Sequence, residues 1–208
     1  MSYFDFHHHK INASSGIYNV DLYNMTPGTL YSIGIHPKDI DEKNLSSQFD
    51  WLKNNIHSHC FAIGECGLDS MVTANSELQG KVFLEQINIA NDFKKPIIVH
   101  CVRKFSELIS FRKKSKNAMV VHGFNKKQSI AEQLLENNFH LSFGKPLLYH
   151  LSLQNTLKNT PLDKLFLETD DADFNLTELY EKAAELKKIS PENLQDQIFE
   201  NLEFIKNG

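Results

Sequence analysis

The amino-acid sequence predicts an α/β fold, a single (β/α)8 barrel of the TIM type that is trimmed in its first crossovers. Three observations carry that expectation. A short apolar run ending at a polar or glycine-rich junction recurs eight times. Amphipathic helical stretches separate most of these runs. The chain has 208 residues, 41% of them hydrophobic, which suits one domain with a full core near the lower size limit of a parallel barrel.

In chain order the runs cover residues 3–6, 17–22, 30–35, 61–63, 96–99, 118–121, 139–143 and 165–167. They are rich in Ile, Val and Phe, as expected of parallel strands buried on both faces. Ser76 and Gln79 read as a capping box, followed by Leu78, Val82, Phe83, Ile87 and Ala90 at helical spacing. Ser190-Pro191 opens a last helix with Pro at its first position, and Leu194, Ile198, Leu202 and Ile205 form its buried face. Further helices are expected over residues 47–57, 105–114, 128–137 and 176–188. Strands alternating with helices imply a parallel sheet, and eight strands imply closure. The first two crossovers are too short for a full helix. With no linker, repeat or low-complexity segment, residues 1–208 read as one domain.

Composition sets limits on function. The formal net charge of -4 provides no global basic field for nucleic acid. No stretch reaches the roughly 18 apolar residues of a membrane span, so no membrane partner is expected. Met1-Ser2-Tyr3-Phe4-Asp5 carries an acid where a secretory signal would be basic, and Cys60, Cys66 and Cys101 form no CxxC pair. Reduced thiols and a cytoplasmic location are the expectation.

The ten histidines fall in informative places. His7-His8-His9 is embedded behind Tyr3-Phe4-Asp5-Phe6, unlike a purification tag. In extended chain His7 and His9 share a face, with Asp5 behind them and His8 turned away. The third run leads into Gly34-Ile35-His36-Pro37 and the fourth into Gly64-Glu65-Cys66-Gly67-Leu68-Asp69. The fifth ends at His100, the sixth at His122-Gly123-Phe124, and the eighth at Glu168-Thr169-Asp170. A lone strand-end histidine is usually structural, and a glycine-flanked Glu can be a salt-bridged one. Metal-compatible groups at the same end of five strands, where barrel enzymes place their chemistry, point to a shared site. His7, His9, Glu65, His100, His122 and Asp170 form a mixed nitrogen and oxygen set suited to zinc, manganese, iron or magnesium. Six ligands exceed one tetrahedral site, so two divalent ions are expected.

These stretches, with Ile198-Phe199-Glu200-Asn201 near the C-terminus, resemble in order and over nearly the whole chain the TatD family of metal-dependent hydrolases, within the amidohydrolase-like barrels. The resemblance implies that His7, His9 and Asp170 hold one ion and His100 and His122 the other, with Glu65 bridging. It implies that His36 contacts substrate, and that the reaction is phosphodiester hydrolysis, often on DNA ends. Three departures stand out. The segment 10–23 replaces the first helix, Val102 stands where the family often has Arg, and no basic, Pro-rich insertion follows Asp170. Arg103, one residue past Val102, is the candidate substrate contact there.

The reaction expected is attack of a metal-activated water on an ester, with Asp170 as metal ligand and general base. An anionic substrate, DNA or nucleotide ends among them, would meet Lys38, Arg103, Lys126, Lys127 and Lys145, which all follow strand ends. The alternatives are a metal-dependent amide or ester hydrolase, such as one acting on aminoacyl-tRNA, and a non-catalytic metal-binding protein.

Overall fold

The computed structural model describes residues 3–11, 15–25 and 29–207. Met1 and Ser2, residues 12–14 of the short first crossover, residues 26–28 and Gly208 lie outside them. Eight parallel strands follow one another in spatial order: β1 (Asp5–His8), β2 (Gly16–Val20), β3 (Tyr31–Ile33), β4 (Cys60–Asp69), β5 (Ile97–Val102), β6 (Met119–Val121), β7 (Phe139–Phe143) and β8 (Leu165–Leu167). Among the described residues seven α-helices follow from the third crossover onward: α1 (Leu45–Asn54), α2 (Ser76–Phe93), α3 (Phe105–Arg112), α4 (Gln128–Glu136), α5 (Leu151–Asn159), α6 (Leu176–Lys187) and α7 (Pro191–Asn207). The fold is an α/β TIM-like barrel. Among the described residues the first two crossovers carry no helix, as their length implied.

The barrel closes at a single residue. Asp170 bridges in parallel to His8. Its N–H donates to His7 O at 2.9 Å, and its carbonyl accepts from His9 N at 3.3 Å. Asp170 does this in the left-handed region, at φ 55°, which Asp tolerates better than most residues. Asp5 ties the same seam, accepting from Thr169 N at 2.8 Å and Thr169 Oγ1 at 2.6 Å. Phe6 stacks on Phe166 beneath it, with ring centroids 4.2 Å apart. On α7, buried Asn201 donates to the carbonyls of Leu162 and Leu165, anchoring the start of β8.

Three elements differ from the sequence reading. Strand β4 does not stop at Ile63 but runs to Asp69, with a register shift against β5 between Ile63 and Cys66. Glu65 therefore sits within the strand, at the irregularity. Gly64 (φ 155°) and Gly67 (φ 147°) make this possible. A Cβ would lie 2.5 Å from Ile98 O at the first and 2.0 Å from His100 O at the second, so only glycine lets β4 approach β5 this closely. The cap of α2 is Asn75, which accepts from Leu78 N, and Ser76 is already helical. Gln79 is therefore free for another role, described below. Helix α5 is the third difference. No helix was expected over Leu151–Asn159, yet Leu153, Thr156 and Leu157 fall at helical spacing and are buried together.

Candidate metal centre

Glu65 organises the site. Its two oxygens face two different sets of imidazoles. Oε1 lies 2.9 Å from His7 Nε2 and 3.0 Å from His9 Nε2. Oε2 lies 3.1 Å from His122 Nε2, 3.5 Å from His100 Nδ1 and 3.7 Å from His36 Nε2. Asp170 Oδ1 completes the first set, 3.6 Å from His7 and 3.5 Å from His9. All six residues expected to bind metal thus converge at one end of the barrel. Their donor atoms form overlapping groups close enough to share cations: His7, His9, Glu65 and Asp170 in one, His36, Glu65 and His100 in a second, His122, Glu168 and Asp170 in a third.

Neighbouring acceptors and donors favour which nitrogen each ring presents. Asp69 Oδ2 lies 3.0 Å from His100 Nε2. A carboxylate accepts, so His100 carries its proton there and turns an Nδ1 lone pair to the site. Glu168 Oε1 lies 3.5 Å from His122 Nδ1, an ion-pair contact that favours Nε2 as the free nitrogen. His100 Nδ1 and His122 Nε2 are 3.3 Å apart. With Glu65 Oε2, three electron-rich atoms then crowd one point, and only a proton or a cation between them relieves the repulsion. This donor chemistry fits a divalent ion on each side of Glu65. His36 differs. Its Nδ1 accepts from Lys38 N at 3.0 Å, so the neutral ring carries its proton on Nε2 and offers a donor rather than a lone pair.

The electrostatics agree. Burial works to raise the pKa of Glu65, but the charges of His122 and His7 and the close imidazoles of His100 and His122 outweigh it and hold it well below the usual carboxylate range. Burial likewise opposes a charge on His122, yet Glu65 and Glu168 raise its pKa well above the ordinary value. Hydrogen bonds to Asp170 and Glu65 raise His9 to about 9. Burial, then the neighbouring His100, lowers His36 to about 3, so it stays neutral at physiological pH. The cluster therefore retains protons on imidazoles that a cation would displace.

Several residues that hold this geometry were not singled out by the sequence reading. Asn19 in β2 accepts from Glu65 N at 2.9 Å and from Ser32 Oγ at 3.1 Å. Two buried glutamines, two helical turns apart on α2, clamp the strand ends. Gln86 pairs with both the N–H and C=O of Ile35, fixing the residue before His36. Gln79 does the same to Asp69 at 2.7 and 2.8 Å. A polar residue inside an otherwise apolar strand was the available signal for Asn19. The four-residue spacing from Glu65, which shares a strand face, was the signal for Asp69.

His8 turns away, as expected, and accepts from Lys10 N through Nδ1. Arg103 is exposed and lines neither of the clefts beside the centre; Lys126 and Lys145 do. Lys38 lies in a separate depression with Asp21 and Asp39. Among the described residues no helix is long and apolar enough to cross a membrane.

An α/β barrel with a carboxylate set between two groups of histidines is the class that fold and site define. The chain belongs to the TatD-related DNase family, which it matches over residues 9–205. It is 31% identical over 149 residues to YabD of Bacillus subtilis, described as an uncharacterized metal-dependent hydrolase, covering 67% of this chain and 57% of that one. A similarly described protein of Buchnera aphidicola is 31% identical over 169 residues, 75% of this chain and 64% of its own length. The chain thus spans less than two thirds of these relatives. The crystal structure of YJJV, a TatD homologue from Escherichia coli K12, superposes with a TM-score of 0.81 over 99% of this chain and 98% of the other, at 18% identity, a likeness of fold.

Proposed function

We propose that this chain is a divalent-metal-dependent hydrolase that cleaves phosphodiester bonds, with DNA or nucleotide ends as the substrate class. The observation that carries the reading is the placement of Glu65, one oxygen on His7 and His9 and the other on His100 and His122. His7, His9 and Asp170 would hold one ion, His100 and His122 the second, and Glu65 both. Such ions supply an acidified water and neutralise charge on the reacting phosphate. Asp170 stands beside both histidines of the first group, and its pKa is lowered by the His9 hydrogen bond and by the charges of His122 and His7, which outweigh burial. It is thus ionised at neutral pH and able to accept a proton from the attacking water. His36 would donate its Nε2–H to a substrate oxygen without competing for metal. The family described as TatD-related DNase supports the phosphodiester assignment.

The test is hydrolysis of bis(4-nitrophenyl) phosphate, a short DNA duplex with a 3′ overhang, and 4-nitrophenyl acetate, with added magnesium, manganese or zinc. Ion-dependent cleavage of the phosphodiesters is expected. Turnover of the carboxylic ester alone would favour the amide or ester hydrolase. Tight ion binding without any turnover would favour a metal-binding protein.

A further inference from the structure

Two clefts leave the metal centre. They share Gly123, Asn125 and Asp170 and then diverge. One runs towards the segments after β7 and β8 and holds about 420 Å³. The other runs past Phe105 and Lys126, beside β5 and β6, and holds about 150 Å³. Sites for small organic molecules range from about 300 to 1,000 Å³, so only the wider cleft can enclose one.

The wider cleft is equipped for a planar, anionic group. Tyr149, at its edge, is 68% exposed, a large aromatic surface left to solvent. Lys145, half-buried, sets its ammonium 5.9 Å from the Phe174 ring and donates to Asp173 O at a long 3.4 Å. Glu168 lies fully buried in the lining. Its Oε1 accepts from Gly123 N, but its Oε2 has no hydrogen-bond partner within the protein. A buried carboxylate oxygen without a donor is costly, and a hydroxyl or N–H of a seated ligand would satisfy it.

From this juxtaposition we propose that the wider cleft is a nucleoside subsite. One arm of the phosphodiester seats its base on Tyr149, sets its charge near Lys145 and gives a sugar hydroxyl or base N–H to Glu168, while the narrow cleft takes only a small arm. The proposal rests on the phosphodiesterase reading and adds an asymmetry between the arms. A base needs only a ring face to stack, so the subsite is indifferent to base identity.

The experiment compares thymidine 5′-(4-nitrophenyl phosphate) with methyl 4-nitrophenyl phosphate on the metal-loaded protein. Tyr149→Ala is expected to lower the ratio of kcat/KM for the thymidine ester over the methyl ester roughly tenfold or more, the scale of one base–aromatic stack. Tyr149→Phe should retain the ratio. An unchanged ratio in Tyr149→Ala, with both esters still cleaved, overturns the subsite and leaves the phosphodiesterase reading intact. Saturation-transfer NMR with thymidine 5′-monophosphate needs no turnover. Thymine-ring saturation that Tyr149→Ala abolishes supports the subsite even if neither ester is cleaved. Ring saturation that is absent, or unaffected by the substitution, contradicts it.

Discussion

The two halves of the candidate metal centre are built in different ways. His7, His9 and Asp170 sit on the barrel seam, where β8 meets β1 through the backbone of Asp170 itself. The same residue closes the barrel and faces the histidines, and the buried His7 Nδ1 has no hydrogen-bond partner. His100 lies in β5 and His122 just past β6, and each has a carboxylate behind it, Asp69 at 3.0 Å and Glu168 at 3.5 Å, although His122 Nδ1, like His7 Nδ1, makes no hydrogen bond. The contrast teaches that one half is positioned by chain closure and the other by side chains in the layer beyond the histidines. Substitutions should therefore affect the halves differently.

The largest effect is expected on the seam. Asp170→Asn keeps the shape and one metal-binding oxygen but is a poor base, so turnover of a validated substrate should fall by about 10²–10⁴-fold while metal occupancy falls less. Glu168→Gln is the contrast on the other half. It should alter stability and the hold on His122 more than the chemical step. If fully loaded Asp170→Asn turns over near the wild-type rate, Asp170 is not the base.

Asp69→Asn should act on the central half alone. Removing the charge that fixes His100 should weaken one ion's affinity about 10–100-fold, with the other spared. Isothermal titration with manganese reads this directly. Equal weakening of both ions would show that the halves are not independently supported.

The protons on the imidazoles give a pH prediction. His9 is held at about 9, above its ordinary value, so at pH 7 it is protonated until a cation binds. Ion uptake should release protons, and affinity should rise from pH 6.5 towards about 9. Titration in buffers of different ionisation enthalpy checks the release; uptake without protons would contradict the ion pairs described.

The smallest effect lies away from the site. His140 in β7 is buried, and neither ring nitrogen makes a hydrogen bond. Burial, then the charges of Lys164 and Arg112, lowers its pKa to about 3. A base whose folded pKa lies below its unfolded 6.5 carries no protonation penalty above pH 6.5 but destabilises the fold progressively as pH falls from 6.5 towards 3. His140→Leu should remove that part of the acid sensitivity and raise stability at pH 7 by about 1 kcal/mol, since an unpaired buried polar ring is costly. Urea unfolding at pH 7 and pH 5 reads both.

Much of the barrel was legible because strands buried on both faces must be short apolar runs, and parallel strands put their C-terminal ends on one side. That alone aligned His7, Glu65, His100, His122 and Asp170. The extension of β4 was hidden because Gly64 and Gly67 read locally as strand breakers, whereas close approach to β5 requires them. The cap of α2 moved to Asn75 because Gln79 pairs instead with the backbone of Asp69, a contact between residues ten apart whose partner cannot be seen in the helix pattern. Arg103 followed a strand end in sequence yet lines neither cleft, because strand order does not fix where a loop side chain points. Helix α5 was legible too, since Leu153, Thr156 and Leu157 recur at helical spacing, but so short a pattern amid polar residues stands out weakly.

The central claim is that Glu65 serves both halves, and metal stoichiometry in Glu65→Gln tests it most directly. Wild type is expected to take up two divalent ions per chain by titration and elemental analysis. Glu65→Gln, which keeps size and one carbonyl oxygen, is expected to lose tight binding at both sites together. Two ions bound with unchanged affinity in that variant, or loss of one with the other untouched, would contradict the account.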